Sequence, residues 1–198
     1  MEELREEVEK TREMEHVVEP LFLNRWSPRA MTGEKISDKE LKSLFEAARW
    51  APSSFNNQSW RFVYAKREDE EWDDFLGLLV DGNRKWAKEG SVLIVILSKT
   101  TFDYNEKYSR THSFDTGAAW ENLALEGARR GLVVHGMQGF NYDEAKKLVG
   151  ASEDFEVEAM AVVGKRADKE SLPEELRENE QPSKRKPVEK IAFRKSLE

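Results

Sequence analysis

Hydrophobic and polar positions along the chain follow two different periods. Some segments repeat apolar residues every three or four positions, as amphipathic helices do, and others alternate or are continuously apolar, as strands are. The helical pattern covers residues 37–51, 68–80, 83–90, 114–131 and 142–150, and the strand pattern covers 60–66, 91–98, 132–138 and 155–163. The pattern therefore predicts helices interleaved with few strands.

Local signals indicate where some of these elements begin and end. Ser37 and Glu40 have the spacing of a capping box, and Pro52 is expected to end the helix that this box opens. Gly131 is expected to stop the long helix that precedes it. The continuously apolar run VLIVIL, residues 92–97, predicts a central strand that is covered on both faces.

The two ends of the chain carry weaker patterns. A narrow apolar stripe predicts an N-terminal helix that ends near Pro20, with Leu4, Val8, Val17, Val18 and Leu21 on one face. After Gly164 apolar residues are few and charges are many, so the arm 165–198 cannot form its own core. The arm is expected either to be disordered or to lie across another surface. Residues 1–198 are predicted to form one domain with a three-layer α/β or α+β arrangement.

Composition excludes several classes of protein. Charged residues make up 36% of the 198 residues, and the formal net charge is -7, so nucleic acid is not expected as a partner. There is no cysteine, which excludes disulfides, thiolate catalysis and iron–sulfur sites. The acidic N-terminus is unlike a signal peptide, and the longest apolar run is too short to cross a bilayer. The sequence therefore predicts a soluble, cytoplasmic protein with no membrane partner.

Familiar catalytic motifs are missing from the sequence. No G-x-G-x-x-G follows a predicted strand, and neither a Walker loop nor a G-x-S-x-G motif occurs. The histidines, His16, His112 and His135, share no ligand spacing. Ordinary structural or surface roles are the better interpretation of them, and no metal site is predicted.

Four polar segments remain as candidate recognition sites. NRWSPR (24–29) and SKRKP (183–187) carry cationic and hydroxyl groups that suit a phosphate. PSSFNNQSW (52–60) supplies uncharged donors and acceptors for a polar ring edge, and HGMQGF (135–140) supplies glycines that admit a flat ligand to the backbone. Each also has a simpler interpretation: a solvated basic face for the first two, and a helix stop and a tight turn for the others.

The order and content of these segments resemble the nitroreductase family of FMN-dependent oxidoreductases. The resemblance is carried by NRWSPRAM, LKSLFEAARWAPSSFNNQSWRFV, GNRKWAKEGSVLIVIL, FDTGAAWENLALEGARRGLVVHGMQGFN and PSKRKPVEKI, and it covers most of residues 22–192. It implies an α+β, three-layer nitroreductase-like fold with a mainly antiparallel central sheet flanked by helices. It also implies an intertwined homodimer with FMN at the subunit interface, in which the arm 165–198 packs on the partner subunit.

The resemblance also implies which residues contact the cofactor. They are Arg25, Trp26, Ser27, Arg29, Pro52, Ser53, Ser54, Asn56, Gln58, Asn83, Met137, Gln138, Gly139, Lys184 and Arg185. By this resemblance the first and last basic segments hold the phosphate, while Arg29 and Asn83 lie near the pyrimidine end of the ring. The backbone at Gln138 and Gly139 lies beside flavin N5, and residues 52–58 reach the flavin of the other subunit.

The implied activity is transfer of hydride from NADH or NADPH through FMN to an electron-poor acceptor, such as a nitroaromatic, quinone or enone, by a ping-pong mechanism. Because the flavin carries the chemistry, no catalytic protein residue is required, which agrees with the missing motifs. The aromatic residues of the irregular segment 100–112 are candidates for the acceptor pocket, and ordinary loop aromatics are an equally good interpretation. They are Phe102, Tyr104, Tyr108 and His112.

Three positions depart from the family pattern. Trp86 stands where some relatives have Lys, Ser59 where many have Pro, and Gln138 where many have Glu. The first change removes a cation near the pyrimidine and could alter the redox potential. Two alternatives also stay open: a flavin enzyme of another branch of the fold, of the dehalogenase or azoline oxidase type, and a flavin-binding dimer without turnover.

Overall fold

The alternating and continuously apolar segments form the strands of one antiparallel sheet. The computed structural model describes residues 3–197 and contains β1 (Trp60–Lys66), β2 (Val92–Lys99), β3 (Leu132–Met137) and β4 (Phe155–Lys165). Their order across the sheet is β1-β2-β4-β3, and every neighbouring pair is antiparallel. The predicted antiparallel central sheet is therefore confirmed.

Helices cover both faces of this sheet. Their bounds are α1 (Glu6–Glu9), α2 (Pro20–Asn24), α3 (Asp38–Arg49), α4 (Trp72–Gly77), α5 (Asp81–Ala87), α6 (His112–Arg129), α7 (Tyr142–Leu148) and α8 (Glu174–Arg177). Short 3-10 turns add Ser54–Asn56, Lys169–Ser171 and Val188–Lys190. Among residues 3–197, no helix is both long enough and apolar enough to span a membrane.

The predicted helix signals are confirmed for α3 and α6. The Ser37 hydroxyl accepts from the Glu40 N–H at 3.2 Å, and the Glu40 carboxylate accepts from the Ser37 N–H at 2.8 Å, which completes the capping box. Helix α3 ends at Arg49, shortly before Pro52. Helix α6 ends two residues before Gly131, which has a φ of 72° and so provides a left-handed stop.

Strand β2 lies at the centre of three layers. Its residues 92–98 are all buried, and alternate side chains enter two separate hydrophobic clusters. Leu93 and Val95 pack on the side of α4 and α5, while Ile94 and Ile96 pack on the side of α3 and α6. Each such side chain contributes about 2 kcal/mol by leaving water. The three-layer α+β arrangement is confirmed.

The predicted N-terminal helix is wrong. Only four residues form α1, and Pro20 begins α2 instead of ending a helix. Proline suits the first helical position because the N–H that it lacks has no partner there. Val8 is buried, but Val17 is 96% exposed, so the apolar stripe is not one packed face. The residues between α1 and α2 form an irregular segment that includes the buried Arg12.

The first half of the C-terminal arm packs on its own chain. Leu172 and Glu180 are buried, whereas residues 183–197 are exposed. The exposed part carries apolar side chains at Ile191 and Phe193, with 67% and 48% of their surface accessible. The prediction that the arm lies on a partner subunit stays a prediction.

Candidate functional site

Residues 24–30, here called the extended segment, begin with the last residue of α2 and alternate in burial. Asn24, Trp26, Pro28 and Ala30 are buried, while the three positions between them are half-buried. An extended backbone turns successive side chains to opposite faces, so Arg25, Ser27 and Arg29 share the accessible side. The two guanidiniums and the hydroxyl that were predicted as cofactor contacts are therefore aligned along one edge.

Trp26 points to the other side of the extended segment. Its indole N–H donates to the Glu7 carboxylate at 3.1 Å, and the Arg166 guanidinium lies 4.5 Å from the centre of its ring. Arg166 in turn forms a two-armed ion pair with Glu7, with distances of 3.1 and 2.8 Å. The side chain of Trp26 thus fixes the segment to the body of the protein.

Arg25 faces helix α6. Its Nε atom lies 3.4 Å from a carboxylate oxygen of Glu121, and its side chain is only 19% exposed. The same Nε atom is buried and lacks a well-formed hydrogen bond. The Arg25 guanidinium is therefore held in place by the Glu121 carboxylate.

Arg12, which was not predicted from the sequence, contacts the backbone of Arg25. The Arg12 side chain is 9% exposed and donates through Nη1 to the carbonyl oxygens of Leu23 and Arg25. Its Nε donates to the carbonyl oxygen of Ser183 at 3.0 Å. Charge alone could not single this residue out, because the sequence holds many arginines and lysines; only the long-range contact from residue 12 to residue 183 identifies it.

The basic C-terminal pair lies at the same place. Lys184 and Arg185 are both exposed, and Arg185 curls back to donate to the Ser183 hydroxyl at 2.9 Å. Repulsion from the charges of Arg185 and Arg25 contributes to the lowered pKa of Arg12, after burial as the main cause. The structure thus brings one cluster of three guanidiniums together from distant parts of the chain.

At the other end of the extended segment, the buried Glu180 orders the backbone. Its carboxylate accepts from the N–H groups of Arg29 at 2.7 Å and Ala30 at 3.0 Å. The Arg29 guanidinium lies 3.9 Å from the same carboxylate. A residue of the C-terminal arm therefore fixes the position of Arg29.

His135 supports the segment from the sheet. Its Nδ1 lies 2.8 Å from the carbonyl oxygen of Pro28, and its ring centre lies 4.5 Å from that of Trp86. Burial lowers the pKa of His135 to about 4, and the nearby Arg29 charge acts in the same direction. The imidazole is therefore neutral at pH 7, so that Nδ1–H donates to Pro28. Trp86, one of the departures from the family pattern, is 2% exposed and fills this core.

Asn83, predicted near the pyrimidine end, lies in the first turn of α5, and Gln138 and Gly139, predicted at the redox-active edge, directly follow β3. The Asn83 amide donates to the Gly139 carbonyl at 3.1 Å, and the Val80 N–H donates to the same oxygen at 3.1 Å. A Cβ at Gly139 would lie 2.7 Å from the Asn83 amide nitrogen, so the close approach requires glycine. Gln138 is exposed, and the side chain of Met137 is buried in the core.

Residues 52–58, here called the polar loop, have a strained backbone. Phe55, Asn56 and Gln58 have φ values of 51°, 54° and 50°, which residues other than glycine rarely adopt. Two hydrogen bonds hold this conformation: the Ser53 hydroxyl accepts from the Gln58 N–H, and the Asp115 carboxylate accepts from the Ser54 N–H, both at 3.0 Å. Pro52, Phe55 and Asn56 are exposed, whereas Asn57 is buried and its amide bonds to the backbone of Thr101 and Asp103.

The predicted acceptor-pocket residues divide into two groups. Phe102 and Tyr104 pack on Phe55 of the polar loop, with ring centres 5.6 and 5.8 Å from it. Tyr108 instead lies against His112, with ring centres 5.7 Å apart. His112 is the first residue of α6 and is only 4% exposed, so it does not belong to the irregular loop. Phe102 and Tyr104 alone extend the surface of the polar loop.

His112 belongs to a hydrogen-bonded cluster that sequence spacing did not reveal. A bulge in β4 leaves Glu158 without a cross-strand partner and turns it toward α6. There its carboxylate accepts from Ser98 and Ser113, both at 2.5 Å, and Ser98 Oγ also lies 2.7 Å from His112 Nδ1. His112, Glu156 and Glu158 each place one side-chain nitrogen or oxygen atom within 4.8 Å of the other two, a spacing that could also suit a metal ion. Because the two serines already engage Glu158, hydrogen bonding accounts for this grouping.

Within one chain the predicted residues line separate shallow cavities. The polar loop and Tyr104 border a cavity of 390 Å³, and Arg29 and Trp86 border another of 300 Å³. A larger groove of 1180 Å³ lies on the Trp26 side of the extended segment. None of these cavities is lined by both the extended segment's accessible side and the polar loop.

Comparison with known proteins identifies the class to which this arrangement belongs. The nitroreductase family model matches residues 23–165, so the chain belongs to the nitroreductase family. A crystal structure described as an oxidoreductase containing FMN superposes with a TM-score of 0.90 at 44% identity, covering 94% of this chain and 96% of that one.

Two curated relatives also match. An uncharacterised 15.4 kDa protein of Mycolicibacterium smegmatis is 31% identical over 142 residues, which cover 67% of this chain and 94% of that protein. MhqN of Bacillus subtilis, named provisionally as an NAD(P)H nitroreductase, is 22% identical over 177 residues, covering 72% of this chain and 85% of MhqN. The family and fold predicted by the sequence resemblance are confirmed.

Proposed function

We propose that the chain is an FMN-dependent oxidoreductase that takes hydride from NADH or NADPH and passes it to an electron-poor small molecule in a ping-pong reaction. Membership of the nitroreductase family supports an oxidoreductase. The similar structure that contains FMN supports the cofactor, and the name of MhqN supports the nicotinamide donor. The cytoplasmic location is part of the proposal, and the lack of cysteine supports it.

The observation that carries the proposal is the row of Arg25, Ser27 and Arg29 on the accessible side of the extended segment. This donor set fits FMN at two ends. The guanidinium of Arg25 suits a phosphate that is nearly dianionic, and the hydroxyl of Ser27 adds a neutral donor. Arg29, two residues further on, suits the pyrimidine end of the ring, where a cation favours the negative charge of a reduced flavin.

Asn83 and Gly139 form a second part of the proposed flavin site. Their mutual hydrogen bond fixes the backbone at the end of β3, and the absence of a Cβ at Gly139 lets the Asn83 amide approach that backbone closely. When bound, FMN would supply the two-electron chemistry. The protein residues bind it, orient it and tune its charge, which accounts for a site without a nucleophile or a general base.

We further propose that the functional unit is a homodimer in which the polar loop of one chain faces the extended segment of its partner. Supporting this, the backbone of the polar loop is strained, and Phe55 and Asn56 at its tip are exposed. Helix α6 carries Phe114, which is 80% exposed, seven residues from Glu121 and therefore on the same helical face. The exposed apolar residues of the arm 183–197 fit the same interface.

The test begins with the absorbance spectrum of the purified protein, followed by anaerobic addition of NADH or NADPH. A flavin spectrum that bleaches, and that returns when a quinone or nitroaromatic is added, is the expected result. A flavin spectrum that never bleaches would favour a flavin-binding dimer without turnover. Protein that is colourless and does not take up added FMN would refute the proposal.

The position of the acceptor pocket is tested at Tyr104, which packs on the polar loop together with Phe102. Replacing Tyr104 by Ala should change KM for the acceptor and leave the rate of bleaching by the nicotinamide unchanged. Tyr108→Ala is a matched control, because Tyr108 packs on His112 instead. Equal effects of both changes would remove Tyr104 from the proposed pocket.

A further inference from the structure

Arg12 is a buried cation from a part of the chain that precedes the family match. It lies in the irregular segment between α1 and α2, while the family model begins at residue 23. Only 9% of its surface is exposed. Burying a guanidinium is costly unless acceptors or opposite charge surround it, so its surroundings need an explanation.

The contacts of Arg12 join two segments that are far apart in the sequence. Its Nη1 reaches the carbonyl oxygens of Leu23 and Arg25, the latter at 2.9 Å. Its Nε reaches the carbonyl oxygen of Ser183 at 3.0 Å. One side chain therefore sets the spacing between the segment that contributes Arg25 and the segment that contributes Arg185.

The surroundings of Arg12 are positively charged. Among residues 3–197 its hydrogen-bond partners are backbone carbonyl oxygens, and no carboxylate lies within ion-pair distance of it. Burial lowers its pKa to about 10, and repulsion from Arg185 and Arg25 adds to the shift. Its Nη2 is buried and has no hydrogen-bond partner among these residues. A bound anion relieves this combination of excess positive charge and an unused buried donor.

A purely structural tie is the competing explanation. It accounts for the three carbonyl contacts, which a long donor side chain can make without any ligand. It does not account for the placement of a third guanidinium beside two others, because a neutral amide donor would avoid both the repulsion and much of the desolvation. The carbonyl contacts therefore do not explain why the residue at position 12 is positively charged.

We propose that Arg12 is a positioning residue of the phosphate site: it holds Arg25 and Arg185 at a fixed spacing and adds its own charge from behind them. The ligand group is a phosphate monoester. This inference rests on the proposed function, in which that phosphate belongs to FMN. It adds a requirement on the N-terminal segment, which makes recognition of the phosphorylated flavin depend on residues that precede the family match.

The experiment compares FMN with riboflavin, which has the same ring and ribityl chain but no phosphate. Flavin is removed from the wild type, Arg12→Met and Arg12→Lys, and both ligands are titrated by quenching of flavin fluorescence. Arg49→Met is the matched control, since Arg49 is an exposed arginine of α3 that pairs with Glu46. If Arg12 only stabilised the fold, its replacement would weaken the binding of FMN and of riboflavin equally.

The expected result is that Arg12→Met weakens FMN binding by tenfold or more and riboflavin binding by less than about twofold. Arg12→Lys should recover part of the preference for FMN, because it restores the charge, although it loses the paired carbonyl contacts. Arg49→Met should match the wild type with both ligands. Equal losses for FMN and riboflavin in Arg12→Met, or no loss in either, would overturn the inference.

If the proposed function is wrong, the wild type will bind neither FMN nor riboflavin. The same variants are then heated with and without inorganic phosphate. A rise in Tm with phosphate in the wild type and in Arg12→Lys, but not in Arg12→Met, would support a phosphate site that depends on Arg12. No rise in the wild type would overturn the inference together with the function.

Discussion

The extended segment and the polar loop are both rich in polar groups, but they are held in opposite ways. In the extended segment, buried residues alternate with accessible ones, and Glu180, His135 and Arg12 fix its backbone from three sides. The polar loop has three residues with positive φ and is held at its base by Asp115. Both regions are anchored by their own chain, but only the polar loop has a strained backbone and an exposed tip at Phe55 and Asn56.

The difference fits the separate roles that are proposed for the two regions. A cationic cluster must be fixed tightly, because neighbouring guanidiniums repel one another and would move apart without support from the backbone. A loop that contributes uncharged donors to another chain needs an outward conformation, and strain at such positions persists only where the surroundings enforce it. Each of the following changes acts on one region and should leave the other unaffected.

The largest effect is expected from Arg25→Ala. Loss of the charged contact should weaken FMN binding by about 3 kcal/mol, which is at least a hundredfold. Glu121→Gln is the control, because it removes the ion-pair partner of Arg25 but keeps the guanidinium. Fluorescence titration measures both. Unchanged FMN affinity in Arg25→Ala would mean that the phosphate lies elsewhere.

Low pH should destabilise the folded protein, because the buried His135 that supports the extended segment resists protonation. The folded pKa of about 4 lies below the ordinary value of 6.5, so between these values the unfolded chain binds the extra proton. Stability is therefore lost as the pH falls through this window, by about 2 kcal/mol at pH 5. Urea unfolding at pH 7 and pH 5 should show a smaller loss in His135→Gln than in the wild type. His16→Gln, at an exposed position, is the control, and an equal loss in all three proteins would contradict this account.

The polar loop should respond to Asp115→Ala. The Asp115 carboxylate is 4% exposed and accepts from the Ser54 N–H, so its removal leaves a donor without its partner, at a cost of about 1–2 kcal/mol. Hydrogen exchange should speed up in residues 53–58 and stay unchanged in residues 24–30. Faster exchange in both regions would show that they are not independent.

The smallest effect on stability is expected from Asn56→Gly. Glycine adopts the φ of 54° without strain, so the free energy of unfolding should change by less than about 1 kcal/mol. FMN binding should nevertheless weaken by about fivefold, since an amide that is proposed to contact the cofactor is lost. Glu106→Gly, at a φ of 60° in the exposed loop, is the matched control. Equal FMN affinity in the two variants would remove Asn56 from the site.

The sequence predicted the elements whose signals are local. The capping box at Ser37 and Glu40 and the stop at Gly131 depend on neighbouring residues, and both occur as expected. The N-terminal helix failed because Pro20 suits either the end or the start of a helix, and only packing decides between them. The bulge at Glu158 was equally hidden, since it depends on pairing with β2.

The residues of the candidate site likewise divide into those that the local sequence predicts and those that it does not. The alternation in NRWSPRA places Arg25, Ser27 and Arg29 on one side, and the family resemblance pointed to them from the sequence. Arg12 and Glu180 could not be predicted, because their roles depend on contacts across more than 150 residues. Such contacts exist only after folding and leave no local pattern.

The central claim is that each flavin site combines the extended segment of one chain with the polar loop of its partner. Arg25→Ala chains and Asn56→Ala chains, each carrying a different affinity tag, are mixed, and the mixed dimers are isolated by both tags. In such a dimer one site carries both changes and the other carries neither. The account predicts that half of the sites bind FMN with wild-type affinity, whereas mixed dimers in which every site is weakened would contradict it.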